Sequence, residues 1–217
     1  MSKLHFAKLY FGVCQIGRRI SSYLLEIATI ALFAAYSDTA INLAIESIIL
    51  KLFMTYKLLF VCLGNICRSP SAENIMNQLI EEAGLSANIV CDSAGTSGYH
   101  IGAAPDRRMN IAAKKRGLEL QGESRKLKPS DLQNFDLILA MDRQNYQDIV
   151  YLDREGKYED KVRMMCDFAT AKPDREVPDP YYGGADGFDY VIDLLYDACA
   201  GLLDYVVNSA EYQAKSS

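Results

Sequence analysis

The stretch from Lys57 to Pro70, KLLFVCLGNICRSP, constrains the chain more than any other. Leu58 to Val61 is a short apolar run of the kind a buried strand needs, and it stops at Cys62 before Gly64 and Asn65 open a loop. Ser69 followed by Pro70 reads as an N-cap and first-turn pair, and Ala72, Ile75, Met76, Leu79, Ile80 and Ala83 then give one apolar helical face. Strand, loop and helix follow one another within thirty residues. Loop N–H groups and a helix N-terminus that converge on one spot make a cradle for an anion. Cys62 lies at its floor. Arg68, six residues on, has the planar fork that grips two oxygens of a tetrahedral oxyanion, and such positive surroundings favour a thiolate over a thiol.

The Cys-to-Arg spacing decides nothing alone: six cysteines are present, and by average residue usage the chance that one has an Arg six places on is roughly one in three. The strand end, the Gly and Asn of the loop and the Ser-Pro opening are independent requirements that chance rarely meets together. Two plainer readings stand beside this one. Cys62 is a buried structural thiol with Arg68 on the surface, or Cys62 and Cys67 are half of a zinc site, which lacks a second ligand pair because the histidines are His5 and His100.

Cys62-Leu63-Gly64-Asn65-Ile66-Cys67-Arg68-Ser69, with Asp179-Pro180-Tyr181-Tyr182 far downstream, closely resembles the low-molecular-weight protein tyrosine phosphatase family, over roughly residues 56–208. The resemblance implies a phosphotyrosine phosphatase that works through a phosphocysteine on Cys62, with Leu63 to Ser69 binding phosphate and Asp179 as general acid and base. It implies that Leu63, Ile66, Tyr99, Tyr181 and Tyr182 line the substrate cleft, that Asn65, Ser69 and Ser93 support the loop, and that Cys67 protects Cys62 from over-oxidation. From the residues alone, Asp179 in VPDPYYGG is equally an Asp-Pro turn former. Family members often carry a His that braces the loop, in the stretch that here reads Leu120-Gln121-Gly122-Glu123-Ser124-Arg125. No bracing residue carries over.

Further strands are expected at Asn88–Asp92, Asp136–Met141 and Val162–Met165. Helices are expected at Pro105–Arg116, Pro129–Phe135 and Arg143–Leu152, with a long one after Gly183 and Gly184 that carries Phe188, Val191, Ile192, Leu195, Cys199, Leu202 and Val206 on one face. Alternating strands and helices predict an α/β domain with a four-stranded parallel sheet covered by helices on both faces and the phosphate-binding loop at the C-terminal end of the first strand. No Gly-x-Gly-x-x-Gly or Walker sequence is present, and the expected chemistry uses no metal and no cofactor.

Residues 1–53 differ from the rest. They hold five Lys/Arg and three Asp/Glu, which leaves 18 and 25 beyond them, and that acidic balance argues against nucleic-acid binding. Ile20 to Tyr36 is interrupted by Glu26, and Ile41 to Phe53 by Glu46 and Lys51, so neither is the clean run of about 20 apolar residues that a membrane span needs. Three readings are open: an interfacial amphipathic segment, a helical hairpin on the domain, or translated upstream sequence outside the natural protein. The last is favoured, because Met54-Thr55-Tyr56 resembles the ordinary start of the family. The expected domain is 54–217, with membrane contact confined to residues 1–53.

Cysteines 14, 62, 67, 91, 166 and 199 are scattered, unlike a secreted disulfide framework, and this predicts a reducing, cytoplasmic setting. The expected partner is a phosphotyrosine-containing protein, a tyrosine kinase or its targets. A glutaredoxin-dependent arsenate reductase, which shares the fold and the Cys-x5-Arg loop, is the alternative enzyme; a module that captures phosphotyrosine without turnover is the other rival.

Overall fold

The computed structural model describes residues 55–182 and 184–216, within one compact unit, Met54–Ser217. The expectations for residues 1–53 lie outside the described residues. Four strands, β1 (Tyr56–Cys62), β2 (Ile89–Gly95), β3 (Leu137–Ala140) and β4 (Val162–Met164), form an all-parallel sheet in the order β2-β1-β3-β4. Among the described residues six α-helices accompany them: α1 (Arg68–Glu82), α2 (Arg107–Lys114), α3 (Pro129–Asn134), α4 (Arg143–Leu152), α5 (Ala185–Asn208) and α6 (Ala210–Ser216). The α/β class and the parallel sheet match the sequence reading.

β1 shows why the sheet needs cover on both faces. Successive strand side chains point to opposite sides. Leu58, Phe60 and Cys62 enter a core with Ile75 and Met76 of α1 and Val191, Leu195 and Leu202 of α5. Leu59 and Val61 enter a second core with Ile138 and Ala140 of β3, Leu132 of α3 and Ile149 of α4. All of these are buried. β1 has no solvated face, so its sequence is a continuous apolar run rather than an alternation.

After β1 the chain adds β2 on one side, then crosses to place β3 on the other. Ligands in such sheets bind beyond the C-terminal strand ends where the order reverses. The loop between β1 and α1 lies there. Among the described residues no helix is long and apolar enough to cross a membrane.

Candidate active site

Cys62 ends β1 and is 2% exposed. Its sulfur accepts from the Asn65 N–H at 3.3 Å and shares a hydrogen bond with Ser69 Oγ at 3.0 Å. Asn65 is the non-glycine residue with positive φ among those described, at 54°, a conformation that Asn tolerates better than most residues because its short side chain bonds locally. That backbone turns its N–H toward the sulfur. α1 begins at Arg68 with Cys67 as N-cap and no side-chain cap, two residues earlier than Ser69 as N-cap predicts. The Ser69 hydroxyl is engaged with Cys62 and Asn65 instead.

The loop rests on its neighbours at several points. Thr96 N–H donates to Cys62 O and Ser97 N–H to Leu63 O, each at 2.9 Å. A Cβ on Gly95 would stand 2.8 Å from Leu63 O, so only glycine lets β2 approach this closely. Asn65 Nδ2 donates to Ser69 Oγ at 3.0 Å and to Ser93 Oγ at 2.8 Å. Its Oδ1 accepts from the Arg125 N–H at 2.8 Å, and Ser124 Oγ donates to Gly64 O at 3.0 Å. The 120–125 stretch therefore braces the loop without a His, through one backbone amide and one hydroxyl. Sequence reasoning found no brace there because neither group has a residue signature.

Arg68 is 2% exposed, yet three partners surround its guanidinium. Nη1 donates to Asp142 Oδ2 at 2.5 Å and to Val177 O at 3.2 Å, and Nη2 to Asp179 Oδ2 at 2.9 Å. Burial works against the charge, but Cys62, Asp179 and Asp142 outweigh it and hold the guanidinium more basic than usual. Asp142 was missed from sequence. It caps α4 by accepting from Asn145 N–H at 2.7 Å, and an Asp immediately after a strand and before a helix is a signal for that cap, though not for Arg68, 74 residues away.

The Asp179 segment is held from both ends. Val177 N–H donates to Met141 O at 2.8 Å, beyond β3, and Asp179 Oδ1 accepts from Tyr181 N–H at 3.0 Å. Arg108 on α2 donates to Tyr181 O at 3.1 Å and lies 5.0 Å from the Tyr181 ring centroid. Leu63 and Tyr181 are 46% and 38% exposed and Ile66 is half-buried. Tyr99 is 88% exposed, and the ring of its neighbour His100 stands 3.1 Å from where a Cβ on Gly64 would lie. The side chain of Tyr182 lies outside the described residues. Cys67 is buried, and burial, then Asp106 and Cys62, push its thiol well up. Cys62 and Cys67 are free. Among the described residues no group of three or more His, Cys, Asp or Glu side chains is arranged to hold a metal.

The family model for low molecular weight phosphotyrosine protein phosphatase matches residues 57–214. The chain belongs to that family. It is thereby a protein-tyrosine phosphatase, a phosphoric monoester hydrolase. A Synechocystis protein that carries the name low molecular weight protein-tyrosine-phosphatase is 63% identical over 147 residues, which is 68% of this chain and 94% of that one. The human low molecular weight phosphotyrosine protein phosphatase is 36% identical, over 69% of this chain and 95% of its own. Among solved structures, a protein tyrosine phosphatase from Entamoeba histolytica with Hepes in its active site is 48% identical with a TM-score of 0.68, over 70% of this chain and 97% of that one. The YwlE arginine phosphatase is 28% identical with a TM-score of 0.64, over 72% and 99%.

Proposed function

We propose that the enzyme hydrolyses phosphotyrosine in proteins, and aryl phosphates generally, in two steps through a phosphocysteine on Cys62. The observation that carries this reading is the contact of Asp179 with Arg68, 111 residues apart, at the rim of the loop that holds Cys62. The Cys62 thiolate attacks phosphorus in line, and the phosphorus–oxygen bond to the leaving group breaks. Asp179 gives that oxygen its proton, then as carboxylate takes one from the water that cleaves the phosphocysteine. Arg68 and the N–H groups of Leu63 to Ser69 hold the three equatorial oxygens, and Ser69 and Asn65 bond the sulfur as it leaves.

Leu63, Ile66 and Tyr181 offer apolar and aromatic walls that suit a phenyl ring better than a charged guanidinium, and this favours phosphotyrosine over phosphoarginine. The natural substrate is then a phosphotyrosine-bearing protein, a tyrosine kinase or its targets. Free thiols at Cys62, Cys67, Cys91, Cys166 and Cys199 suit a reducing cytoplasm, and Cys67 is poised as the protective partner of Cys62.

Trapping tests the assignment. Cys62→Ser is expected to abolish turnover of p-nitrophenyl phosphate and still retain a phosphotyrosine peptide. Asp179→Ala is expected to slow phenyl phosphate, with its poor leaving group, more than p-nitrophenyl phosphate. Equal rates for Asp179→Ala and the parent on phenyl phosphate would remove Asp179 from the acid role. Arsenate turnover with glutathione and glutaredoxin, in place of phosphotyrosine hydrolysis, would reassign the substrate.

A further inference from the structure

Glu73 sits on α1 one turn past Arg68, with its carboxyl group turned toward β2. Ser93 Oγ donates to its Oε2 at 2.6 Å, and no other hydrogen bond reaches that carboxyl among the described residues. From there hydrogen bonds run unbroken to the reacting sulfur. Asn65 Nδ2 donates to both Ser93 Oγ and Ser69 Oγ, and Ser69 Oγ meets Cys62 Sγ. Because the Arg125 N–H occupies Asn65 Oδ1, the amide orientation is set, and both of its N–H donors face hydroxyls. Ser93 therefore accepts from Asn65 and sends its own hydrogen to Glu73.

Beside this relay lies a pocket with room for about one water molecule, lined by Asn65, Glu73, Ser93, Gln121, Gly122 and Glu123. The ionisable groups around Glu73 are Cys91 and Asp92 on β2, with Glu123 and Arg125 on the segment opposite. Arg125 is committed elsewhere: it bonds Asp92 at 2.9 Å and Asp131 at 2.9 Å. Burial, aided by Asp92 and opposed by the Ser93 hydrogen bond and Arg125, raises the Glu73 carboxyl to about 7.

On the reading of the Cys62 loop as the phosphate cradle, we propose that Glu73 is a positioning residue for that loop, and that its protonation state sets the Ser93 hydroxyl and through it the affinity for a tetrahedral oxyanion. The ionised carboxylate can only accept, so Ser93 donates to it and presents a lone pair to Asn65. When Glu73 takes up a proton on Oε2, that oxygen becomes an O–H that competes to donate to Ser93 Oγ, and the hydrogen bond it accepts from Ser93 weakens. Asn65 is then less firmly held, and with it the N–H aimed at the sulfur. The mechanism proposed above uses neither the carboxylate nor its proton.

Sulfate is the appropriate probe, because it stays a dianion across the neutral range while phosphate changes its charge there. Its affinity for the full chain is read from protection of Cys62 against iodoacetamide between pH 5.5 and 8.5, values chosen to bracket about 7. The parent protein is expected to bind sulfate about two- to tenfold more tightly above the Glu73 titration than below it, with the alkylation rate at each pH referred to the rate without sulfate at that pH, the range set by one net hydrogen bond. Glu73→Gln, whose amide oxygen accepts from Ser93 at every pH, is expected to remove the step and keep the tighter affinity. Ser93→Ala cuts the relay and is expected to remove the step with the weaker affinity, and His100→Asn, which deletes the imidazole bordering Gly64, is expected to keep it. A parent profile without the step, or a step that persists in Glu73→Gln, overturns the proposal. Absence of sulfate protection in the parent at every pH overturns the cradle reading, and the proposal with it.

Discussion

Arg68 Nη2 and Asp179 Oδ2 stand 2.9 Å apart, so the arginine expected to bind the phosphate already holds a carboxylate. A tetrahedral oxyanion entering the loop competes with Asp179 for the same N–H donor. In the proposed mechanism, exchange of this contact for a phosphate oxygen frees Asp179 to protonate the leaving group. On that proposal, loading the cradle and releasing the acid are one event.

Asp179→Asn keeps the shape of the side chain and removes its charge. Vanadate and sulfate are expected to bind more tightly to this variant than to the parent, while kcat on phenyl phosphate falls by about 10²-fold or more, the usual worth of a general acid. Isothermal titration and steady-state rates measure the two arms; weaker vanadate binding together with the slower rate would deny the competition.

Asp142 serves Arg68 and the N-terminus of α4 at once, and two variants separate those duties. Asp142→Ala is expected to lower both the melting temperature, through a lost cap worth about 1 kcal/mol, and kcat/KM, through a misdirected guanidinium. Asp142→Asn still accepts from Asn145 N–H, so its melting temperature is expected to lie near the parent's while kcat/KM remains depressed by about tenfold, the weight of a charge-assisted hydrogen bond.

A methyl group at Gly95 meets the carbonyl oxygen of Leu63 at 2.8 Å. Gly95→Ala is expected to push the loop outward, costing about 1–3 kcal/mol of stability and a larger share of activity than of melting temperature. Thermal melts and p-nitrophenyl phosphate turnover check this. Gly84→Ala, at an open position with φ of +70°, is the strain control that should leave kcat unaltered.

Glu73 also makes stability depend on pH. Its folded value, about 7, exceeds that of an exposed carboxyl, so the folded chain holds a proton that the unfolded chain has released. The stabilisation is fully present below about pH 4.3 and is lost as pH rises through about 7, with a ceiling on the order of 3 kcal/mol before screening by solvent. Urea midpoints measured from pH 4.5 to 8 should decline less in Glu73→Gln than in the parent.

Much of the site was legible in one dimension because it is local. Leu58 to Val61, the loop residues and the opening of α1 are contiguous, and strand, turn and helix each leave a mark in residue type and spacing. Asn65 has the side chain that a left-handed residue favours. The motif around Asp179 was visible too, though its contact with Arg68 was not. Ser69 shows the limit of local rules: Ser-Pro reads as a cap, but the hydroxyl is drawn to the sulfur seven residues back.

By itself, then, the amino-acid order determined the strand-loop-helix unit and the parallel α/β layering, since short-range propensity and hydrophobic period set both, and it put Cys62 and Arg68 at the two ends of one loop. Only the tertiary structure decided what surrounds them. Asp142, Val177 and Asp179 reach Arg68 from 74 to 111 residues away, and Ser93 bonds Glu73 across 20. The physical reason is that such partners are chosen by where the sheet and its crossovers bring distant backbones together. A polar side chain carries no mark of its partner until burial removes water as the alternative.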